Sequence, residues 1–458
     1  NAPLIVRDVA IISGTGTRGG RPIPGDIRGY AVRTGRRLWI FHVIPRPGEF
    51  GNDTWLKGSW NSSGGAGTWS LLSADEELGY VYIPTETASS PTDYFGGNRP
   101  GTNLFEHSVL CLDVKTGKRV WHFQTIRHGL WDWDLPSAPS LVDITVDSKK
   151  IKALAQPSKI AYLYVLDRTN GKPVWPMQEK IAPEGDVPGE WYSRTQFHPT
   201  KPPAYDRQAL VEEDVVDFTP AIKAEALRIV RQYRLGPLFT PPTMFDPSPN
   251  GKKGTLMIGT SSTTWPGSGV DPETGIVYTT SVHSPRAFGM VKGPEDGGTP
   301  YVLRKTTPDE IGPGDFVEGP LGLPDPFKPP YGRFVAIDLN KGEIKWSVAN
   351  GDGPRNNPGL KELNLPPLGQ GGRVAPLITR TMVFLGEGGN DVPGTPKGSG
   401  GKIFRAYDKA TGKVIWEMAL PGGTTGAPIT YMHKGKQYIV VSVSAKDAPG
   451  ELIALTLP

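Results

Sequence analysis

Residues 121–134 contain side chains whose types and spacing could do chemistry. The segment reads WHFQTIRHGLWDWD and brings two histidines and two aspartates together within 14 residues. A carboxylate such as that of Asp132 can accept a proton from a hydroxyl group when it is held beside the reacting atoms. Alternatively, Asp132 only caps a turn by bonding to nearby backbone amides. The segment therefore supplies a candidate base.

Two other side chains could act beside such a base. Lys159 follows Pro157 and Ser158, and a lysine cation can stabilise a negative charge that it contacts. The alternative is a solvated lysine, the usual state of this residue type. Trp69 follows a glycine-rich run at residues 64–68, and its flat indole could stack on a planar group. The alternative for Trp69 is a tryptophan that only packs sheets together.

Other catalytic chemistries lack support in the sequence. Cys111 is the only cysteine, so no disulfide forms within the chain, and without a Cys-x-x-Cys-His motif no c-type haem is attached. A hydrolase propeller is not supported either, because the sequence has no Gly-x-Ser-x-Gly motif and no carboxylate pair placed for glycoside cleavage.

The scaffold for these side chains is a repeated unit. An apolar strand, a turn that ends in glycine and a tryptophan four residues later occur five times. The pairs are Gly35 with Trp39, Gly117 with Trp121, Gly171 with Trp175, Gly342 with Trp346 and Gly412 with Trp416. Residues 271–275 form a similar turn without the tryptophan. A ring of four-stranded sheets is the natural closed form, so we predict an all-β propeller rather than a β-sandwich.

Composition agrees with many short strands. The chain has 458 residues with 58 Gly and 47 Pro, and only 37% are hydrophobic. The 50 basic and 46 acidic side chains nearly balance, which argues against a nucleic-acid partner. We find no signal peptide and no apolar run long enough for a membrane span, and we expect the natural N-terminus to lie upstream.

We predict one propeller domain over residues 1–458, with two interruptions. The first, at residues 176–250, is rich in proline and contains a helix that starts with Thr219 as N-cap and Pro220 at its first position and ends before Gly236. The second, at residues 293–330, is predicted to be a long surface loop.

Residues 121–134 resemble the signature of quinoprotein alcohol and glucose dehydrogenases, in which Trp-Asp follows a histidine-containing turn. The resemblance extends through residues 96–100 and 135–139, and it continues weakly to residues 435–440. It is greater to the membrane-bound glucose dehydrogenase branch than to the methanol dehydrogenase branch. Family propellers have about eight blades, and about six are identifiable here. Either the N-terminal blades are missing, or the chain closes a smaller ring; we expect the former, because the internal segments align without shrinkage.

The resemblance implies an enzyme that oxidises an alcohol or sugar hydroxyl with pyrroloquinoline quinone. It makes Asp132 the general base, sets Lys159 against the quinone oxygens and places Trp69 beneath the quinone ring. His128 lies inside the matched segment and is expected at the cofactor. Three more cofactor contacts are implied: Trp265, Thr280 and Asp391. At position 280 the family often has an asparagine, for which the threonine hydroxyl could substitute.

The resemblance also implies a cation held by oxygen ligands, Ca²⁺ or another divalent or lanthanide ion. The glutamate that the methanol dehydrogenase branch supplies from an early loop is missing from residues 21–29. A second ligand position of that branch, an asparagine there, falls near Glu86 and Thr87, so the resemblance makes Glu86 the candidate ligand beside Asp132. The alternative for Glu86 is a solvent-facing loop acid.

Further expectations concern partners and location. The substrate would be a small alcohol or sugar, and electrons would pass to ubiquinone or to a separate cytochrome, because the chain has no haem motif. The family resemblance implies a periplasmic location. The alternative function is a scaffold like the outer-membrane assembly lipoproteins, which use the same tryptophan repeats without a cofactor. Such a scaffold would lack Trp69 and the segment from His128 to Asp132.

Overall fold

The computed structural model describes most of the chain, and the strands below are given within that part. The described residues are 2–14, 17–18, 21–89, 96, 98–258, 263, 266–295, 300–304, 314–389, 396, 398–445 and 448–457. Trp265 and Asp391, two of the predicted site residues, lie outside them.

Strands dominate the described residues. The first seventeen are β1 Leu4–Val6, β2 Val9–Ser13, β3 Thr17–Arg18, β4 Arg21–Pro22, β5 Ile27–Ala31, β6 Arg37–Phe41, β7 Gly64–Gly65, β8 Ser73–Asp75, β9 Tyr80–Pro84, β10 Ala88–Ser89, β11 Ser108–Asp113, β12 Arg119–Gln124, β13 Ser140–Val146, β14 Lys149–Pro157, β15 Leu163–Asp167, β16 Met177–Ile181 and β17 Thr195–Pro199. The rest are β18 Thr243–Met244, β19 Thr255–Met257, β20 Ser268–Asp271, β21 Ile276–Val282, β22 Arg286–Lys292, β23 Tyr301–Leu303, β24 Asp315–Phe316, β25 Gly332–Asp338, β26 Glu343–Ala349, β27 Leu377–Ile378, β28 Met382–Leu385, β29 Ile403–Asp408, β30 Val414–Ala419, β31 Gly423–Thr424, β32 Ile429–His433, β33 Lys436–Ala445 and β34 Ala448–Thr456.

Helical structure is sparse. The described residues contain one α-helix, α1, which spans Pro220–Val230. Short 3₁₀ segments are Asn52–Thr54, Leu56–Asn61, Glu212–Asp214, Pro320–Gly322, Gly353–Asn356 and Lys361–Leu363. None of the helices among the described residues is long and apolar enough to cross a lipid bilayer.

Six antiparallel sheets follow one another along the chain. In strand order they are β1-β2-β5-β6, β8-β9-β11-β12, β13-β14-β15, β20-β21-β25-β26, β27-β28-β29-β30, and β31-β33-β32 with β34 also on β33. The first strands of neighbouring sheets meet, since β13 contacts β20 and β20 contacts β27. Sheets arranged around their first strands form a β-propeller, so the predicted fold is confirmed, with six sheets identifiable in the described residues.

The turns of the repeat form as the sequence predicts. In the second sheet, the Asp113 carboxylate accepts hydrogen bonds from the backbone amides of Lys115 at 3.1 Å and Thr116 at 2.8 Å. Gly117 then adopts φ +66°, a left-handed conformation that side chains with a Cβ rarely take.

Four of the repeat tryptophans, Trp39, Trp121, Trp175 and Trp346, contact the next sheet. The indole N–H of Trp39 donates to Val114 O at 2.9 Å, and the ring lies so close to Gly117 that a Cβ there would be 2.4 Å from it. Trp121 and Trp346 repeat the arrangement at Gly171 and Gly412. The tryptophan thus fastens one sheet to the turn of the following sheet.

This arrangement stops at both ends of the described array. A Cβ built on Gly35 would meet nothing within 4 Å, so no indole of the described residues covers the first turn. At the other end, the side chain of Trp416 is 42% exposed, whereas Trp39, Trp121 and Trp346 are buried. The ring of sheets is therefore not closed in the part of the chain that the structure describes.

Comparing two glycines isolates the packing contribution of the tryptophans. Gly35 and Gly117 both have φ +66°, so alanine at either position carries the same backbone cost. Only at Gly117 would the new methyl overlap an indole. We expect Gly117→Ala to lower the free energy of unfolding by about 1–3 kcal/mol more than Gly35→Ala. Urea unfolding of the two variants measures this difference, and equal losses would contradict the packing role.

The first interruption contains the predicted helix. Thr219 caps α1 by accepting a hydrogen bond from the Ile222 amide at 3.2 Å. The helix ends at Val230 rather than just before Gly236, because the backbone of Arg234 and Gly236 pairs with Thr255 and Leu210 in isolated β-bridges.

The second interruption differs from the surface loop that the sequence predicts. Strands β23 and β24 within it pair with β22, in a sheet that also contains β18 and β19. Leu323 and Phe327 are fully buried in the largest hydrophobic cluster. The reason is that β22 offers free edges to short strands too small to leave a periodic pattern in the sequence.

Candidate active site

Four chain segments meet at one edge of the second and third sheets. Trp69 precedes β8 and Thr87 follows β9, while Asp132 precedes β13 and Lys159 follows β14. Strands β8 and β9 are antiparallel, as are β13 and β14, so the start of one strand lies beside the end of its partner. This topology brings together side chains that are far apart in the sequence.

Lys159 lies between two carboxylates. Its ammonium group donates to Asp134 Oδ2 at 2.6 Å, to Asp132 Oδ2 at 3.1 Å and to the backbone oxygen of Asp132 at 3.0 Å. Burial disfavours the charged lysine, but the carboxylates of Asp132 and Asp134 raise its pKa above the usual value. Lys159 is therefore a fixed buried cation rather than the solvated side chain considered as the alternative.

Asp134 organises the site. Besides the lysine, it accepts hydrogen bonds from the Trp69 indole N–H at 3.1 Å and from the Thr87 amide and hydroxyl at 2.8 and 2.9 Å. Although burial acts in the opposite direction, Lys159 and these donors hold the pKa of Asp134 well below its usual range. Asp134 is thus an ionised anchor that orients Trp69 and Lys159.

Asp132 has the opposite electrostatic character. Burial and the neighbouring Asp134 carboxylate raise its pKa well above the usual value. Its neighbours Trp131 and Trp133 stack with ring centroids 4.7 Å apart, and Asp132 takes a left-handed φ of +58° between them. Two nearby carboxylates whose pKa values are pushed apart are typical of acid–base sites, and the raised member is the one suited to take up a proton.

Trp69 provides a flat surface next to the cation. The Lys159 ammonium lies 5.4 Å from the ring centroid, and the indole is only partly buried. An aromatic face beside a fixed positive charge suits a planar anionic group. The residues present therefore fit a flat cofactor, whose oxygens would share the three N–H groups of Lys159 with Asp132 and Asp134.

Several residues that support this site were missed by the sequence reasoning. His107 Nε2 lies 2.8 Å from the Thr87 hydroxyl, which donates to Asp134, and burial lowers the His107 pKa so that the ring is neutral. Glu106 pairs with Arg99 at 2.8 Å, and both are buried. Arg99 falls within residues 96–100, which the family resemblance includes. Nothing local in the sequence indicates Thr87 or His107.

The other predicted site residues lie in different surroundings. His128 is buried, its Nδ1 is 2.8 Å from Asn103 Oδ1, and burial followed by the charge of Arg99 lowers its pKa to about 3. Thr280 is also buried, and its hydroxyl donates to Val374 O at 3.1 Å. Their hydrogen bonds are thus made to groups outside the Asp132–Asp134–Lys159 cluster.

Glu86 lies directly beside Thr87. Its amide donates to Gly67 O at 2.9 Å, its carbonyl accepts from His107, and its side chain is partly buried. Within the described residues, no group of three or more His, Cys, Asp or Glu side chains is arranged to hold a metal ion. The predicted pair of Glu86 and Asp132 would therefore need further oxygen ligands.

The fold and the cluster together define a β-propeller of the quinoprotein dehydrogenase type. Residues 1–439 match the family model described as glucose/ethanol/alcohol dehydrogenase, beta-propeller domain. The chain belongs to this family, as the resemblance implies.

Curated relatives support the same family. Over 452 residues the chain is 30% identical to the quinate/shikimate dehydrogenase (quinone) of Acinetobacter baylyi, covering 93% of this chain and 52% of that protein. It is 30% identical to the quinoprotein glucose dehydrogenase of Escherichia coli, covering 100% and 57%. It is 31% identical to the glycerol dehydrogenase large subunit of Gluconobacter oxydans, covering 91% and 56%. The chain thus spans about half the length of these relatives.

Solved structures agree on the fold. The quinohemoprotein alcohol dehydrogenase of Comamonas testosteroni superposes with a TM-score of 0.61 at 22% identity, over 99% of this chain and 59% of that chain. A europium-containing methanol dehydrogenase gives a TM-score of 0.57 at 21% identity, over 97% and 65%.

Proposed function

We propose that the chain forms the catalytic part of a quinoprotein dehydrogenase that oxidises an alcohol or sugar hydroxyl to a carbonyl. The observation that carries this proposal is that Lys159 bonds to two aspartates. Asp134 is an ionised anchor, and Asp132 is suited to accept a proton. Family membership supports the same reaction class.

Pyrroloquinoline quinone is the proposed cofactor. Trp69 would support its ring plane, and the Lys159 ammonium would lie near its oxygens, with Asp134 holding both side chains in place. When bound, this cofactor supplies the two-electron acceptor for the hydride that leaves the substrate carbon. His128, Thr280, Trp265 and Asp391 remain proposed contacts.

Asp132 is the proposed general base. It takes the hydroxyl proton of the substrate, and its raised pKa makes that transfer favourable. Lys159 bonds to Oδ2 and to the backbone oxygen of Asp132, and so fixes the direction of the carboxylate. Asp132 and Glu86 are the proposed ligands of Ca²⁺ or of another divalent or lanthanide ion, which hard oxygen ligands suit.

The relatives support a proposal for the substrate class. Their printed names specify quinate or shikimate, glucose and glycerol, all small molecules with several hydroxyl groups. We therefore propose a polyhydroxy substrate, with ubiquinone or a separate cytochrome as the electron acceptor and the periplasm as the location. The scaffold alternative is weaker, because the matching family model is that of a dehydrogenase.

Reconstitution tests this proposal. Pyrroloquinoline quinone and Ca²⁺ are added to the full-length protein, and cofactor absorption and dye reduction are followed with glucose, glycerol, quinate and ethanol. We expect a bound cofactor spectrum and dye reduction with at least one polyhydroxy substrate. A protein that binds no cofactor and reduces no dye with any of these compounds would be a scaffold.

A tryptophan substitution tests the position of the cofactor. We expect Trp69→Ala to weaken cofactor binding about tenfold or more, since loss of ring stacking removes about 1–3 kcal/mol. Equilibrium dialysis measures the affinity. The matched control is Trp416→Ala, which removes an exposed indole remote in sequence from the cluster. Equal affinities for the two variants would exclude Trp69 from the cofactor site.

A further inference from the structure

The segment that carries Asp132 has no regular secondary structure of its own. Residues 125–139, between β12 and β13, contain neither strand nor helix. Two of them, His128 and Asp132, take left-handed φ values of +52° and +58°. Such conformations cost free energy in residues other than glycine and persist only where the surrounding structure holds them. The backbone around the proposed base therefore needs support from other parts of the chain.

The first interruption, residues 176–250, contacts this segment through a hairpin. Strands β16 and β17 pair within it, and Gln196 of β17 is 1% exposed. The Gln196 side chain accepts a hydrogen bond from the Arg127 amide at 3.0 Å and donates one to Arg127 O at 2.7 Å. A neighbouring strand would bond to both backbone groups in the same way, so Gln196 fixes the backbone immediately before His128.

The loop between β16 and β17 contacts His128 itself. Glu190 Oε1 lies 3.2 Å from His128 Nε2, and both side chains are buried. The Trp191 ring packs edge-on against the imidazole, with ring centroids 4.8 Å apart. The first left-handed residue of the segment is thus held by the same hairpin.

Phe239 and Thr240, farther along the same interruption, contact both chain neighbours of Asp132. The Trp131 indole N–H donates to Thr240 O at 2.9 Å. The Phe239 ring, which is 1% exposed, meets the stacked indoles of Trp131 and Trp133 edge-on, with centroids 5.7 and 5.8 Å away. Because both neighbours are packed in place, the backbone of Asp132 between them is restricted, as a catalytic group requires.

We propose that the first interruption supports the base-bearing segment, and that Phe239 and Gln196 are positioning residues for Asp132. Lys159, which follows β14 of the propeller, holds the carboxylate, while the interruption holds the backbone that presents it. Both positioning residues act through chain neighbours of Asp132. Their effect on turnover rests on the proposed function of Asp132 as the base.

Hydrogen exchange measured by mass spectrometry tests the support in the full-length protein without cofactor. In Phe239→Leu, we expect the amides of residues 125–139 to exchange about tenfold faster, because the loss of two ring contacts makes local opening easier. The control is Phe404→Leu, since Phe404 is also buried and contacts two aromatic rings, those of Phe384 and Trp416. It should leave this segment unchanged, and unchanged exchange in Phe239→Leu would overturn the proposal.

Steady-state kinetics of the reconstituted protein tests the effect on the base. We expect Phe239→Leu to lower kcat about ten- to hundredfold, since a small displacement of a catalytic group costs this much, while KM and cofactor affinity stay within about threefold of wild type. Phe404→Leu should keep the wild-type kcat. Faster exchange together with an unchanged kcat would give Phe239 a structural role alone and overturn the positioning role.

Gln196→Ala is a second variant, which keeps the proposal testable if Phe239→Leu fails to fold. It removes both hydrogen bonds to Arg127, so we expect faster exchange in the base-bearing segment and a kcat lowered about three- to tenfold. The control is Asn340→Ala, because the Asn340 side chain also bonds to one backbone N–H and one backbone C=O, at a turn of the propeller. Wild-type exchange and kcat in Gln196→Ala would contradict the support by the hairpin.

The two measurements separate this proposal from the proposed function. A wild-type protein that binds the cofactor but has no turnover would contradict the dehydrogenase reaction and, with it, the positioning role. Exchange in the cofactor-free protein does not depend on that reaction. It would still decide whether the first interruption supports the segment.

Discussion

Replacing Asp132 with asparagine is expected to lower kcat of the reconstituted protein by about 10²–10⁴-fold, the usual contribution of a general base. Asparagine has nearly the same shape as aspartate but cannot accept the substrate proton. It also tolerates the left-handed φ of +58° at this position better than most residues. Its side-chain oxygen can still accept from Lys159, so the folded structure should be retained.

Dye-linked turnover with the preferred substrate measures this effect, and cofactor affinity is measured in parallel. The matched control is Asp113→Asn, which makes the same exchange in a turn between β11 and β12. We expect the control to keep wild-type turnover. A kcat for Asp132→Asn within about threefold of wild type would be a much smaller loss than removal of a base causes. Asp132 would then not be the base.

Replacing Asp134 with alanine is expected to lower the free energy of unfolding by about 3–5 kcal/mol, as when one partner of a buried ion pair is removed. The carboxylate accepts from Lys159, from Trp69 and twice from Thr87. Without it, the buried lysine keeps only Asp132 as a counter-charge. Trp69 and Thr87 also lose an acceptor, so cofactor affinity should fall as well.

Urea unfolding monitored by tryptophan fluorescence gives this stability change. Asp143→Ala is the control, because Asp143 also pairs with a cation, Arg168, but its side chain is 66% exposed. Exposed pairs contribute about 0.2–1 kcal/mol, so the control should lose little. A loss for Asp134→Ala no greater than for Asp143→Ala would mean that Asp134 does not anchor the site.

The sequence predicts the fold well because the repeat is locally encoded. Ten residues of sequence contain both the turn from Asp113 to Gly117 and the tryptophan that follows it. In the structure, the contact between such a tryptophan and the turn glycine of the next sheet recurs at successive sheets. The end of α1 is predicted less well, because β-bridges made by residues after Val230 depend on partners elsewhere in the chain. Local sequence signals thus predict where a helix or strand lies, whereas pairing with distant residues determines where it ends.

The candidate site is predicted only in part for the same reason. Asp132, Lys159 and Trp69 were identified from the family resemblance, and the structure brings them into one cluster. The organising role of Asp134 depends on Thr87, 47 residues away, and on Trp69, 65 residues away. No pattern in the neighbouring sequence predicts contacts between residues so far apart in the chain. The direction of the His128 side chain, toward Asn103, likewise depends on tertiary packing.

The exposed indole of Trp416 affects which part of the molecule opens first. In a row of sheets, each fastened to the next by one tryptophan, a unit with a single neighbour is held more weakly than a unit with two. The sheet formed by β31 to β34 also exposes Ile429, Met432 and Leu452. Amide protons there should exchange with solvent sooner than those of β9 and β14, which have neighbouring sheets on both sides. Local unfolding would then begin at this sheet, and the carboxylates around Lys159 would lie in the part of the array that stays folded longest.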